Sequence, residues 1–143
     1  MTPKETIKIG QLVLDFLLDG NDTHNRMVMF EMTIPPGAKV PVPHYHEDVD
    51  EALYGLEGTL TSIVDGKEIS TQPGDYCFIP RGIVHHHDNK GTVASKTLCV
   101  LTPASIGPAY FREIAGAIQP GVPPNPAVLK EIMLRHGLIP AVG

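Results

Sequence analysis

Short segments rich in apolar, β-branched and aromatic residues dominate the first two thirds of the chain. The clearest of them cover residues 27–34, 57–64, 76–79 and 95–101. Each is short for a helix, and its residue types are those that fit the pleated surface of a sheet. The pattern predicts a series of short β-strands between about residues 8 and 102.

Turn-forming residues separate these segments. The chain contains 14 glycines and 14 prolines, spread along its length and not gathered in one tract. Asp65-Gly66 is the strongest hairpin signal, because a two-residue type I′ turn needs positive φ at both central positions. Pro73-Gly74 and Pro80-Arg81-Gly82 mark further turns. Many short strands joined by tight turns are typical of an all-β protein.

The pattern changes after Pro103, where helical spacing replaces strand spacing. Residues 109–118 predict a short helix, and residues 120–126 predict a rigid, proline-rich connector. A second helix is predicted over residues 126–136, with Asn125 as N-cap, Pro126 at the first helical position and Gly137 as the stop signal. The chain therefore divides into a strand region, at about 8–102, and a helical extension, at about 103–143, of a single domain that covers residues 1–143.

Composition and charge narrow the classes of function. With 143 residues, of which 42% are hydrophobic, the chain can build a core without a structural metal or disulfides. The formal charge is -5 and no cluster of Lys or Arg is present, which argues against a nucleic-acid partner. The longest early apolar run, at 12–18, is too short to span a bilayer and contains Asp15, so no membrane association is expected. A cytoplasmic location is the default expectation, and Cys77 and Cys99 are expected to be buried thiols.

Three histidines and one glutamate provide the candidate chemistry. His44 and His46 lie two residues apart, so on a strand both side chains point to the same face. Glu51 follows at the start of the next apolar run, and His85 comes after the Pro80–Gly82 turn. Imidazole and carboxylate groups are suitable ligands for Fe, Mn, Ni, Co, Cu or Zn. Four protein ligands leave open positions for water, O₂ or substrate on a metal that takes five or six.

Two sequence motifs built around these residues resemble those of the cupin superfamily. The fixed positions of the first motif are Gly37, His44, His46, Glu51 and Gly58. The fixed positions of the second motif are Gly74, Pro80, Gly82, His85 and Asn89. The one departure is that six residues separate Gly37 from His44, where the pattern usually has five. The motifs cover about residues 37–89, and fifteen residues separate them.

This resemblance implies an all-β, antiparallel double-sheet jelly-roll barrel. The short C-terminal helices that the pattern predicts are expected to pack on the outside of this barrel. It also implies one divalent transition metal near the barrel's centre, bound by His44, His46, Glu51 and His85. Fe or Mn is favoured, and Ni, Zn, Cu and Co are possible. Small cupins commonly form homodimers through their outer sheets or an exchanged N-terminal strand, for which residues 8–18 are the candidate segment.

Several other residues are weaker candidates for the site. Alternation places His87 on the inward face with His85, where it is a candidate hydrogen-bond partner or proton shuttle, although a position at the barrel rim is the primary expectation. His86 is expected to point outward. Met27 and Met29 on one strand face, and Leu53 on the face of Glu51, are candidates for the pocket wall. Glu51 is also a candidate proton acceptor in catalysis.

Three functions fit the resemblance. The first is oxidation of a small organic substrate with O₂, as in quercetin-dioxygenase-like cupins. The second is a non-redox isomerase, decarboxylase or lyase in which the metal acts as a Lewis acid. The third is a module that binds or senses a small ligand, although nothing in the sequence resembles the helix-turn-helix domain that regulatory cupins usually carry. Cupins support many unrelated activities, so the fold by itself does not choose among these functions.

Overall fold

The computed structural model describes residues 2–40, 42–119 and 121–141. Eleven strands and three helices lie in these ranges. The strands are β1 (Glu5–Ile9), β2 (Leu12–Leu18), β3 (Val28–Ile34), β4 (His44–His46), β5 (Asp50–Glu57), β6 (Leu60–Val64), β7 (Lys67–Thr71), β8 (Tyr76–Ile79), β9 (His85–Asp88), β10 (Ser95–Thr102) and β11 (Leu138–Pro140). The helices are α1 (Gly20–Thr23), α2 (Pro108–Ala117) and α3 (Pro126–Arg135).

The strands form two antiparallel sheets. One has six strands in the order β1-β2-β3-β10-β5-β8, and the other has five strands in the order β11-β4-β9-β6-β7. Neighbours in each sheet are often distant in sequence, as is typical of a jelly roll. The architecture confirms the predicted all-β fold with short C-terminal helices.

Alternating burial along the strands explains how the two sheets enclose a core. In β3 the side chains of Val28, Phe30, Met32 and Ile34 are buried, and those between them are only partly buried. The eight residues of β10 alternate in the same way. Because a strand's side chains alternate between its faces, this burial pattern places one face of each strand between the sheets.

Glycines occupy two positions between strands at which the backbone has positive φ. Asp65 and Gly66 join β6 to β7 with φ of 52° and 77°, as the predicted type I′ turn requires. Gly58, the last fixed position of the first motif, has φ of 63° between β5 and β6. A Cβ at Gly58 would lie 2.3 Å from the Ala94 carbonyl oxygen. Both the backbone angle and the close approach therefore favour glycine at this position.

The C-terminal segment is both helical and part of a sheet. Helix α3 begins with the predicted cap, in which the Asn125 side chain accepts a hydrogen bond from the Ala127 amide, and Pro126 is the first helical residue. Strand β11 follows this helix and pairs with β4. The sequence pattern predicts no strand here, because three residues after a helix carry too little pattern. None of the helices in the described ranges is long and apolar enough to cross a membrane.

Candidate metal centre

Three strands bring the predicted ligands together. His44 and His46 lie on β4, and His85 lies on β9 directly opposite His44 in the pairing of these strands. Glu51 comes from β5 of the other sheet. The two sheets therefore contribute to one cluster between them, and all four side chains are buried.

The ligand atoms of the cluster lie close to one another. Nε2 of His44 lies 3.2 Å from Nε2 of His46, and Nε2 of His85 lies 3.8 Å from Oε2 of Glu51. The rings of His44 and His85 have centroids 4.7 Å apart, and those of His46 and His85 are 4.9 Å apart. The three histidines and, separately, Glu51 with His85 and His87 form groups that could hold a metal ion.

Hydrogen bonds to backbone carbonyls determine which ring nitrogen of His44 and of His85 carries the proton and which carries the lone pair. Nδ1–H of His44 donates to the Val42 carbonyl at 2.7 Å, and Nδ1–H of His85 donates to the Ile83 carbonyl at 3.0 Å. In a neutral imidazole the other nitrogen then carries a lone pair. Nε2 of both rings therefore faces the cluster as an acceptor without a proton.

Burial keeps the imidazoles neutral. It lowers the pKa of His44 to about 3 and that of His46 to about 4, and it also lowers the pKa of His85. For Glu51, burial raises the pKa, but the hydrogen bond from His87 and the neighbouring histidines lower it below its ordinary value. At neutral pH the cluster is thus a set of neutral nitrogen ligands beside a carboxylate anion.

His87 extends the cluster on the side of Glu51. Its Nε2 lies 3.2 Å from Oε2 of Glu51, and its Nδ1 lies 2.7 Å from Oγ of Ser62 on β6. Ser62 and His87 are opposite each other in the pairing of β6 with β9, and both are buried. The expected position at the barrel rim is therefore corrected, because β9 runs along the interior and its alternate residues point inward.

This arrangement fits a divalent cation. Nε2 of His85 lies 3.8 Å from the buried, ionised Glu51 carboxylate, and Nε2 of His44 lies beside that of His46. A buried charge is costly unless an opposite charge balances it. Nitrogen and carboxylate oxygen are ligands that divalent transition metals accept. The ligand chemistry of the cluster thus agrees with the metal site that the sequence predicts.

The cluster forms one end of a cavity of about 80 Å³ between the sheets. The polar end consists of the four predicted ligands and His87. The rest of the lining is Ile9, Leu12, Leu14, Phe30, Met32, Val40, Cys99, Leu101, Ile106, Tyr110, Phe111, Ile114 and Leu138. The cavity therefore has one polar end and an apolar wall.

The scan against family models matches residues 30–101, half of the chain, to the model described as "Cupin domain". The matched range contains the whole histidine and glutamate cluster. The chain belongs to the cupin family.

The cupin is similar to proteins with different activities. It is 33% identical over 93 residues to quercetin 2,3-dioxygenase of Bacillus subtilis, covering 65% of the chain and 27% of that protein. It is 31% identical over 94 residues to the tetracenomycin polyketide synthase protein TcmJ of Streptomyces glaucescens, and the match covers 66% of this chain and 59% of that protein. The chain thus spans about a quarter of the first relative's length and less than two thirds of the second's.

A solved structure is also similar to the cupin. It is described as a predicted oxalate decarboxylase from Thermotoga maritima, with a TM-score of 0.63 and 29% identity, and the match covers 72% of this chain and 93% of that one. The relatives therefore share the fold and differ in the chemistry that their names give.

The predicted pocket wall needs correction at three positions. Met27 and Met29 are only partly buried, because the inward positions of this segment belong to Val28, Phe30 and Met32. Leu53 is buried as expected, but it packs in the core and does not line the cavity. The methionine prediction had the right strand and the wrong face, since a shift of one residue moves a side chain across the sheet.

Several other polar residues lie away from the cavity. The guanidinium of Arg81 donates to both carboxylate oxygens of Asp50, at 3.2 and 3.1 Å. His86, on the outward face of β9, lies 3.2 Å from the carboxylate of Asp88. Nε2 of His136, at the end of α3, lies 2.7 Å from Oε2 of Glu113 on α2. These side chains stabilise turns, strands and helix contacts on the outside of the cupin.

Sequence reasoning missed the part of the wall that comes from the C-terminal segment. Helix α2 places Tyr110, Phe111 and Ile114 in the lining, and β11 adds Leu138. The prediction that the helices pack on the outside of the barrel did not include this contribution of α2 to the cavity wall. The sequence does carry a signal for the inward face of α2, because apolar residues at positions 110, 111 and 114 form one face of a helix.

Proposed function

We propose that the cupin is an enzyme that binds one divalent transition metal through His44, His46, Glu51 and His85 and oxidises a small organic substrate in a dioxygenase-like reaction. The convergence of three imidazoles and one buried carboxylate on a cavity carries this proposal. The similarity to quercetin 2,3-dioxygenase supports the type of reaction. When bound, a redox-active ion such as Fe(II) or Mn(II) supplies the one-electron chemistry that reaction with O₂ requires.

The protein's own residues prepare the site for this reaction. The backbone carbonyls of Val42 and Ile83 hold the rings of His44 and His85 in one tautomer and one orientation. The apolar wall keeps bulk water away from the reacting groups. Glu51, ionised at neutral pH, lies where it can accept a proton from a substrate hydroxyl or enol.

His87 is a positioning residue for Glu51 in this proposal. The ionised Glu51 carboxylate only accepts hydrogen bonds, so Nε2–H of His87 donates to it, and Nδ1 of the same ring is hydrogen-bonded to the Ser62 hydroxyl. A carboxylate held in this way has a defined orientation toward the histidines of the neighbouring sheet. Supporting hydrogen bonds of this kind typically change metal affinity by 10- to 100-fold.

Elemental analysis of the purified protein tests the metal site. We expect near-stoichiometric Fe or Mn in the wild type and none in a variant with His44→Ala and His85→Ala. His86→Ala is the matched control, because His86 adjoins His85 and points outward. Oxygen consumption by the loaded protein with phenols or diketones then tests the reaction. Absence of metal from the wild type after reloading, with the fold intact, would overturn the proposal.

A non-redox reaction is the second candidate. The structural similarity to a predicted oxalate decarboxylase favours it, because removal of a carboxyl group as CO₂ needs no net oxidation. Activity that is retained with Zn(II), or without air, would select this candidate. A loaded protein that binds organic ligands and turns none of them over would instead identify a binding module.

The partner and location expectations stay predictions. A homodimer is the expected assembly, and light scattering tests it. Residues 8–18, the candidate exchanged segment, pair with neighbours of the same chain, since β1 pairs with β2 and β2 with β3. That nucleic acid is not a partner is an expectation from charge, and the cytoplasmic location is a default expectation from the sequence.

A further inference from the structure

We infer that the substrate is a short molecule with a single oxygen-bearing head group and an uncharged, apolar tail, and that helix α2 selects it. This inference rests on the proposed function, because the head group is the part that the metal would bind. It goes further in naming the chemistry of the rest of the substrate. The helix that makes this selection lies outside the matched cupin region.

The composition of the wall carries the first step. Beyond the polar end, the lining residues in the described part of the chain are aliphatic or aromatic, apart from the Cys99 thiol and the Tyr110 hydroxyl. None of these lining residues is Lys, Arg, Asn or Gln. A charged group on the tail would lose its hydration without gaining a partner, which is strongly unfavourable. The cavity therefore accepts one polar group, at the metal end.

The arginines of helices α2 and α3 face outward and are already paired. Arg112, on α2, donates to the Glu5 carboxylate at 2.6 and 3.1 Å. Arg135, on α3, lies 3.0 Å from the carboxylate of Glu113. Both arginines are exposed, so these two ion pairs lie on the surface. These helices thus cover the cavity with apolar side chains and leave no guanidinium to bind a second carboxylate or a phosphate.

The dimensions of the space limit the tail. The cavity of about 80 Å³ is smaller than the roughly 150 Å³ of an apolar cavity known to hold benzene. It adjoins a second space of about 40 Å³, which shares Val40, His44, Tyr110 and Ile114 with it and continues toward α3. The second space is completed by Val42, Ile118, Leu129 and Met133. A narrow chain of a few carbon atoms fits this shape, and a molecule with two fused rings and a further aryl ring does not.

Helix α2 controls both spaces. Tyr110 and Ile114 line the two of them, and Phe111 lines the larger one. The ring of Phe111 packs against those of Phe30 and Phe16, with centroids 5.4 and 5.6 Å away. Phe111 is only partly buried, so its truncation would enlarge the cavity at a smaller cost to the core than a fully buried ring. Phe111 is therefore the best position at which to change the length of substrate tail that the cavity accepts.

Calorimetric titration of the Zn(II)-loaded protein with straight-chain monocarboxylates tests the inference. We expect affinity to rise by about fourfold for each added methylene, and then to fall when the chain exceeds the cavity. A dicarboxylate of the same carbon number should bind at least tenfold more weakly, because its second charge enters the apolar end. In Phe111→Ala, the best chain should be at least one methylene longer.

Phe78→Ala is the matched control, since Phe78 is 60% exposed on the outer face of β8. It should leave the chain-length profile unchanged. Equal binding of monocarboxylates and dicarboxylates would overturn the inference, and so would a profile that Phe111→Ala does not move. Circular dichroism of each variant ensures that these comparisons are made between folded proteins.

Metal content measured on the same samples separates this inference from the proposed function. If the protein takes up no Zn(II), the proposed metal site fails. The wall is then tested on metal-free protein by thermal shift with 1-alkanols of increasing length. A stabilisation that grows with chain length, and that extends to longer alkanols in Phe111→Ala, would support the inference. No dependence on chain length would overturn it.

Discussion

The two ends of the cavity differ in where their residues come from and in what holds them. The polar end is built from strands β4, β5 and β9, all within residues 30–101. Its side chains are fixed by hydrogen bonds to backbone carbonyls and to one another. Much of the apolar end comes from β1, β2, α2 and β11, outside this range, and its side chains, mostly aliphatic and aromatic, pack against one another. The contrast suggests that the matched region supplies the reactive groups and the flanking segments supply the selectivity.

The largest expected effect comes from the charge at the polar end. Glu51→Gln keeps the shape of the side chain and removes its charge, which leaves the metal without the balancing anion. We expect metal affinity to fall by a hundredfold or more, in line with about 3–5 kcal/mol for a broken buried ion pair. Competition with a chromogenic chelator measures this loss. Glu47→Gln, at a nearby exposed position, is the control and should have no effect.

Truncation at the apolar end should affect stability and not metal binding. Ile114 is 6% exposed, so Ile114→Ala should lower the free energy of unfolding by about 2–5 kcal/mol. The metal affinity of the folded variant should stay that of the wild type. Urea denaturation measures the first quantity and chelator competition the second. Leu134→Ala, at a position 47% exposed on α3, should change neither, and a loss of metal affinity in Ile114→Ala would contradict the division between the two ends.

His87 tests whether the polar end depends on support beyond the ligands. His87→Phe keeps a ring of similar size and removes the N–H that donates to Glu51. Metal affinity should fall by about 10- to 100-fold, measured with the same chelator. His86→Phe, one residue away on the outward face, should leave the affinity unchanged. A loss as large as that of Glu51→Gln would indicate that His87 itself binds the metal.

The smallest expected effect concerns Asp50, which neighbours Glu51 but faces the other side of β5. Hydrogen bonds from Arg81 lower the pKa of Asp50 below its ordinary value of 3.8. Because the folded-state pKa is lower, the pair stabilises the protein above the unfolded-state pKa, and this contribution is lost as the pH falls through the folded-state pKa. Asp50→Asn should therefore lower the urea midpoint slightly at neutral pH and not in strong acid. Metal affinity should not change, which would separate Asp50 from Glu51.

Local sequence patterns were sufficient to locate many of the strands and helices and to identify the candidate metal ligands. Alternation of residue types located β3, β8 and β10 to within a residue or two, and the Asn125 and Pro126 signals located the start of α3. The separation of His44 from His46 is enough to place both on one face of a strand. Each of these predictions depends on residues that are neighbours in the chain, and such relations survive any tertiary arrangement.

Predictions of tertiary contacts between side chains were less accurate than predictions of strands and helices. The sequence predicts Met27 and Met29 in the cavity wall, but the opposite face of this segment supplies the lining residues, Phe30 and Met32. His87 was expected at the rim, and its contacts with Ser62 and Glu51 depend on two other strands. A strand pattern indicates that a side chain faces inward, but the depth of its position depends on the pairing of strands distant in sequence.

The sequence by itself determined the cupin family, the antiparallel β architecture and the identity of the candidate ligands, because fixed residue types at fixed spacings carry that information. Only the tertiary structure decided what surrounds them. The sequence pattern predicts the apolar face of α2, but not the strands against which it packs. These are β1, β2 and β3, and the first two lie about a hundred residues before α2 in the chain. The wall of the cavity is thus a property of long-range packing, which no local pattern specifies.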